Sequence, residues 1–127
     1  MYLSLLFLLT SFFQQDDDWV LYHQDKRVEI YFKSHTCDDK KNGFSFEYYL
    51  IKVRNRTNET FVLNFFKGNQ DNEEQKIALV LNPNELREGS CEHDPVKLRI
   101  FKRDNSQKNN NQADEFNLTK INVIEVN

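Results

Sequence analysis

The chain predicts an all-β protein, a single immunoglobulin-like β-sandwich of about seven antiparallel strands preceded by a signal peptide. Three observations carry that expectation. The apolar runs are short, rich in Val, Ile, Phe and Tyr, and punctuated by Asn, Asp, Gly and Pro, as strands joined by turns are. No segment sustains apolar residues at i, i+3, i+4 and i+7 over the length of a helix. An almost wholly apolar N-terminus is followed by only two cysteines, Cys37 and Cys91, which suits an exported domain closed by one bridge.

Met1 to Phe13 is shorter than the roughly 20 apolar residues that cross a bilayer, and fits the apolar region of a signal peptide. The first basic residue is Lys26, so the usual basic start is missing, and a start site further upstream would supply it. Thr10-Ser11-Phe12-Phe13 offers small residues without an A-x-A pattern, which places the cut near Phe13 or Gln14. A buried first strand or an uncleaved anchor is the alternative. Residues 14–18 form an acidic linker and residues 19–127 the β-sandwich, within the usual size of one domain. No cysteine precedes Cys37, so lipid attachment just after the leader is not expected.

Trp19-Val20-Leu21-Tyr22 opens the domain, and a turn at Asp25-Lys26 leads to Val28–Phe32, where Val28, Ile30 and Phe32 share one face. Phe44–Asn55 is the longest run. Tyr49, Ile51 and Val53 lie on one face and Phe46, Tyr48 and Leu50 on the other, as in a central strand covered on both sides. Glu47 shares the first of these faces and belongs either at the strand's exposed end or beside a partner. The polar turn Arg56–Glu59 predicts a hairpin to Phe61–Phe66. Gly68–Gln75 reads as an exposed loop, and Ile77–Leu81 as a fifth strand stopped by Asn82-Pro83. Asn84–Glu88 could make one helical turn. Val96, Leu98 and Ile100 mark a sixth strand, and the Asn-rich stretch Asp104–Glu115 a long loop. In the last segment, Phe116–Val126, Phe116 and Leu118 share parity with Ile124 and Val126 while Ile121 and Val123 take the opposite one, which a bulge or bend near Lys120 reconciles.

The net charge of -3 and the scattering of basic residues among acidic ones argue against nucleic acid, since no phosphate-tracking stripe can be read. The three glycines lie far apart and build no phosphate-cradling loop. Gly89-Ser90-Cys91 is not a nucleophile elbow, and no acidic run spaces like an EF-hand loop, so neither a hydrolase nor a calcium site is expected. Sequons at Asn55, Asn58 and Asn117 match as chance allows in an Asn-rich chain. Eleven Phe and five Tyr chiefly promise a core, although an exposed cluster such as Tyr22, Tyr31 and Tyr48 could bind a sugar or a partner.

Both cysteines fall in expected loops. In an exported chain they are most simply partners, and a bridge closing about 55 residues would contribute roughly 4 kcal/mol by the chain-entropy model. The other reading is metal: His35-Thr36-Cys37 and Cys91-Glu92-His93 mirror one another and would offer two thiolates and two imidazoles to zinc or copper. One intervening residue is tighter than usual zinc spacing, and an oxidised pair has no thiolate to give.

The succession Trp19, Val28-Glu29-Ile30, Cys37, Glu47-x-x-Leu50-x-Lys52-Val53-x-Asn55-x-Thr57, Leu81-Asn82-Pro83 and Gly89-Ser90-Cys91 resembles short exported β-sandwich proteins of flavobacteria and relatives, over roughly Trp19 to Arg103. The resemblance supports the disulfide and implies no catalytic residue. The expectation is thus a secreted or periplasmic binding or structural module, not an enzyme, with no cofactor, no membrane span in the mature chain, and an unknown protein or glycan as partner. Two alternatives stand beside it: a metal protein using His35, Cys37, Cys91 and His93, and an assembly subunit that lends or accepts the terminal strand Phe116–Val126 at a sheet edge.

Overall fold

The computed structural model describes residues 18–68, 73–106 and 115–126; the expected leader and all of the linker but Asp18 lie outside them, as do parts of the two expected loops. Among the described residues eight strands are present, β1 (Val20–Gln24), β2 (Val28–Asp39), β3 (Phe44–Asn55), β4 (Phe61–Lys67), β5 (Lys76–Leu81), β6 (Leu86–Glu88), β7 (Arg99–Asp104) and β8 (Leu118–Glu125), with a 3-10 turn at Glu73–Gln75. They form two antiparallel sheets packed as an all-β sandwich. The larger runs β1-β2-β3-β6, with β7 also on β3, and the smaller runs β5-β4-β8.

Period-two alternation builds the core. Val28, Ile30, Ile51 and Val53 of the larger sheet meet Phe61, Leu63, Phe65, Ile77, Leu79, Leu81 and Leu118 of the smaller, and Leu98 closes one side. Each such side chain contributes about 1.5–3 kcal/mol on leaving water. Tyr22, Phe32, Tyr49 and Phe116 extend this interior through edge-on and stacked ring contacts. The Tyr22 hydroxyl accepts from the Leu118 N–H at 3.0 Å and so ties β1 to β8.

Several elements depart from expectation. β2 does not stop at Phe32; its register with β3 runs from Val28↔Asn55 to Asp39↔Phe44, so Cys37 sits in a strand, opposite Phe46, rather than in a loop. Its second half is polar because one face is solvated, but β3 is long enough to supply a backbone partner at every position. Arg56–Glu59 makes no hairpin, because β3 and β4 belong to different sheets and the turn carries the chain across the sandwich. Leu86–Glu88 is not helical but pairs with Lys52–Arg54 as β6. The sixth expected strand begins later, at Arg99, leaving Leu98 as a buried anchor before it. Glu47 is not at an open end: its carboxylate lies 3.0 Å from Lys102 Nζ and 3.3 Å from Arg103 Nε. The bulge expected near Lys120 is present. Asn64 and Phe66 of β4 face Asn122 and Thr119, leaving two residues of β8 between them, and Lys120 takes a φ of 53°. Leu118 on one side of the bulge and Ile121 and Val123 on the other thereby all turn inward.

The crossing from β3 to β4 is organised by Asn55, which is 0% exposed. Its Nδ2 donates to the carbonyls of Glu59 (2.7 Å), Asn82 (3.0 Å) and Leu81 (3.2 Å), while Oδ1 accepts from the N–H and hydroxyl of Thr57. One amide therefore joins the end of β3, the turn and the end of β5. Removing it strands several buried polar groups, each costing about 1–3 kcal/mol. Asn55→Ala is expected to lower unfolding free energy by about 2–4 kcal/mol in urea titration, far more than an exposed substitution such as Asn58→Ala.

Candidate functional site

The outer face of the larger sheet carries the odd residues of β2 and the even residues of β3, the reverse of those that enter the core. Near β1 this face is closed over. Lys33 and Lys52 lie 4.6 and 4.8 Å from the Trp19 ring centre, and Lys52 also covers Tyr31 at 4.7 Å, so lysine stems lie across the aromatic surface. Toward the β2–β3 turn it is open. There Phe44, Phe46 and Tyr48 follow one another along β3 and meet Phe101 of β7, with ring centres 5.6 to 6.5 Å apart. Phe44 and Phe101 remain 50% and 55% exposed.

The disulfide walls this surface. Cys37 and Cys91 are bonded, with Cα atoms 5.5 Å apart. Because β2 and β7 flank β3 at about 4.8 Å on either side, a bridge this short requires the segment bearing Cys91 to lean over the outer face of β3. The backbone shows how. The chain leaves β3 at Gly89, whose N–H donates to Ile51 O (2.8 Å), and returns at Leu98, whose carbonyl accepts from Ile51 N–H (2.9 Å). A Cβ on Gly89 would lie 1.9 Å from Leu98 O, so only glycine lets these two backbones meet. Arg99 then holds the leaning segment: Nη1 donates to Cys91 O at 3.2 Å, and the guanidinium sits 4.8 Å from the Tyr48 ring centre.

Together these groups line a trough of about 620 Å³, with Phe46 and Tyr48 beside Phe44, the disulfide, Arg99, the end of β2 at Asp38 and Asp39, and Lys40 and Lys41 of the turn. Charge at the turn end is mixed: Asp38 and Asp39 stand beside Lys40 and Lys41. Asp39 is tied to the turn, its carboxyl held below the usual value by hydrogen bonds from the side chain and then the backbone of Asn42. At the other end Tyr48 and Arg99 also line a second cavity of about 390 Å³ with Lys67, Gln75, Lys97, Ile100 and Phe101. Lys67 Nζ donates to Arg99 O at 3.2 Å. Burial, and then the like charges of Lys97 and Arg99, pull its pKa below 10.5.

Of the four residues considered for metal, His35, Cys37 and Cys91 come together, with ligand atoms within 4.8 Å of one another; His93 is not part of that group. Strand alternation explains the difference, since His35 and Cys37 share the outer face of β2 whereas Cys91 and His93 lie in an irregular segment. Both sulfurs are consumed by the bridge. Tyr22, Tyr31 and Tyr48 do not form one cluster: Tyr22 points into the sandwich, Tyr31 lies under Lys52, and Tyr48 belongs to the trough. Phe44, Phe46, Phe101 and Arg99 were not singled out by the sequence; the signal present was Phe44-x-Phe46-x-Tyr48, three aromatics on one strand face. The buried Asn55 amide is fully engaged, which removes that sequon from the folded surface. The terminal strand, β8, is an edge strand of the smaller sheet and places Leu118 in the core.

No protein-family model matches the chain, and comparison with curated proteins and solved structures gives no match either. Among the described residues no helix is long and apolar enough to cross a membrane.

The bridge closes a separation of 54 residues, for which the chain-entropy model gives about 4 kcal/mol as an upper figure. The Cys37→Ala/Cys91→Ala double variant is expected to keep its far-ultraviolet β spectrum and lose up to about 4 kcal/mol in denaturant titration, with no further loss on adding reductant.

Proposed function

We propose that the protein is an exported binding module, not an enzyme, and that its ligand is a glycan lying across the aromatic trough. One observation carries this reading: Phe44 and Phe101 stay half exposed beside Phe46 and Tyr48 in a concave surface, where an isolated domain would gain by covering them. The faces of sugar rings are apolar and their rims polar, which suits stacked rings flanked by Arg99 and Lys40. An extended peptide is less well served. The trough lies on a sheet face whose backbone β3 already shares with β2 on one side and β6 and β7 on the other, so no free ladder is offered to a second strand. The disulfide keeps the wall in place, and its presence supports secretion or a periplasmic location.

Phe44→Ala and Phe101→Ala remove exposed rings, so each is expected to leave the thermal midpoint nearly unchanged while weakening glycan retention at least about tenfold in affinity electrophoresis through immobilised polysaccharides. Equal retention of wild type and both variants would sink the reading.

A second reading is favoured by the position of His35. Reduction of the bridge by an external dithiol, itself oxidised to its disulfide, would free two thiols within reach of its imidazole, and loss of their protons would give a three-ligand set with an open position. Under that reading the reduced protein binds one zinc ion and the oxidised protein none in titration with a competing chelator, and His35→Ala weakens the reduced site; zinc uptake independent of reduction would overturn it.

A further inference from the structure

The trough ends in a cavity of different character. Lys67, Lys97 and Arg99 line it with Gln75, Ile100 and two of the aromatic residues, and among the described residues no carboxylate lines it. Elsewhere among the described residues some cations meet acids, as Arg54 does Glu29, Arg87 does Asp94, and Lys102 and Arg103 do Glu47, while Lys33 and Lys52 lie over aromatic rings. The three cations of this cavity form no ion pair among the described residues, although the chain as a whole is acidic. Like charges gathered together cost free energy, and burial adds to the cost at Lys67, whose ammonium donates to Arg99 O. An anion placed there would relieve both.

Resting on the glycan reading of the trough, we infer that this cavity receives a carboxylate or sulfate group of an acidic oligosaccharide whose sugar rings lie on the adjoining aromatics. The link is geometric. Tyr48 and Arg99 form the partition and face both spaces, and Phe101, in edge contact with Tyr48 at 5.9 Å, lines the cavity side. A ligand that stacks on the rings therefore carries its substituents directly past the cations. The opposite end of the trough, where Asp38 and Asp39 offset Lys40 and Lys41, gives no such preference. Charge thus fixes the direction in which the chain lies as well as its class.

The test uses the full chain in calorimetric titrations with four probes: an oligogalacturonate bearing carboxylates, a sulfated galactan fragment, an uncharged cello-oligosaccharide and oligoglutamate. The variants are Lys67→Met, Lys97→Gln and their double. Arg99 is left in place because it anchors the Cys91 segment. The wild type is expected to bind at least one acidic sugar about tenfold or more tighter than the neutral one, with affinity falling as salt rises. The double variant should lose that preference and keep its weak binding of the neutral sugar. Which acidic sugar binds separates carboxylate from sulfate. Equal binding of neutral and acidic sugars, or an acidic preference that survives in the double variant, overturns the assignment of the cavity while leaving the trough reading standing. Oligoglutamate bound as tightly as the acidic sugars overturns it in favour of an acidic peptide. Failure of every sugar to bind overturns both.

Discussion

Everything in this molecule is hung on the pairing of β3. It takes β2 along its whole length on one side, from Asn55 to Phe44, and on the other it divides its partners, with Lys52–Arg54 paired to β6 and Phe46–Leu50 to β7. Between those two partners Ile51 uses its own N–H and carbonyl to close the gap, holding Leu98 and Gly89 side by side. Residues 90–97 are excluded from the sheet, and they carry Cys91. Because they cannot lie in the plane, they fold over it. The wall, the bridge to Cys37 and the seat of Arg99 all follow from that exclusion.

The same strand sets the division between stability and binding. Its odd positions Ile51 and Val53 enter the sandwich, while Phe46 and Tyr48 face outward. Among the described residues the smaller sheet has three strands against five in the larger. On the inner face of the larger sheet, Lys102 contacts Glu47 and Ser34 and lies 4.6 Å from the Tyr49 ring centre.

Most strands were legible because their alternation is local: Val28/Ile30, Ile51/Val53, Phe61/Leu63/Phe65 and Ile77/Leu79/Leu81 all occupy the core face. Even the bulge at Lys120 could be read, since a change of parity within one apolar strand requires an extra residue somewhere along it. What failed depended on partners remote in sequence. The extension of β2 to Asp39 is dictated by the length of β3 and not by its own polar residues. β6 has three residues and no alternation to speak of, and only its register against Lys52–Arg54 makes it a strand. The turn at Arg56–Glu59 resembles any hairpin turn, and what sends the chain to the other sheet is a buried amide whose acceptors lie far along the sequence. The candidate site suffered in the same way. His35, Cys37 and Cys91 could be read as neighbours, but the trough joins Phe46 to Phe101 and the cavity joins Lys67 to Lys97, pairs that no spacing rule connects.

The left-handed residue at Lys120 has an effect beyond turning Ile121 and Val123 inward. Among the described residues β8 is an edge of the smaller sheet, and an edge with regular N–H and C=O groups is a template on which other chains can add strands. Lys120 interrupts that regularity near the start of β8 and sets a charged side chain there, while Ile124 is still exposed further along. The irregularity that fits this strand to its own core therefore also makes its free side a poor start for aggregation, a protection of particular use to a small protein that must fold outside the reach of cytosolic chaperones if it is exported.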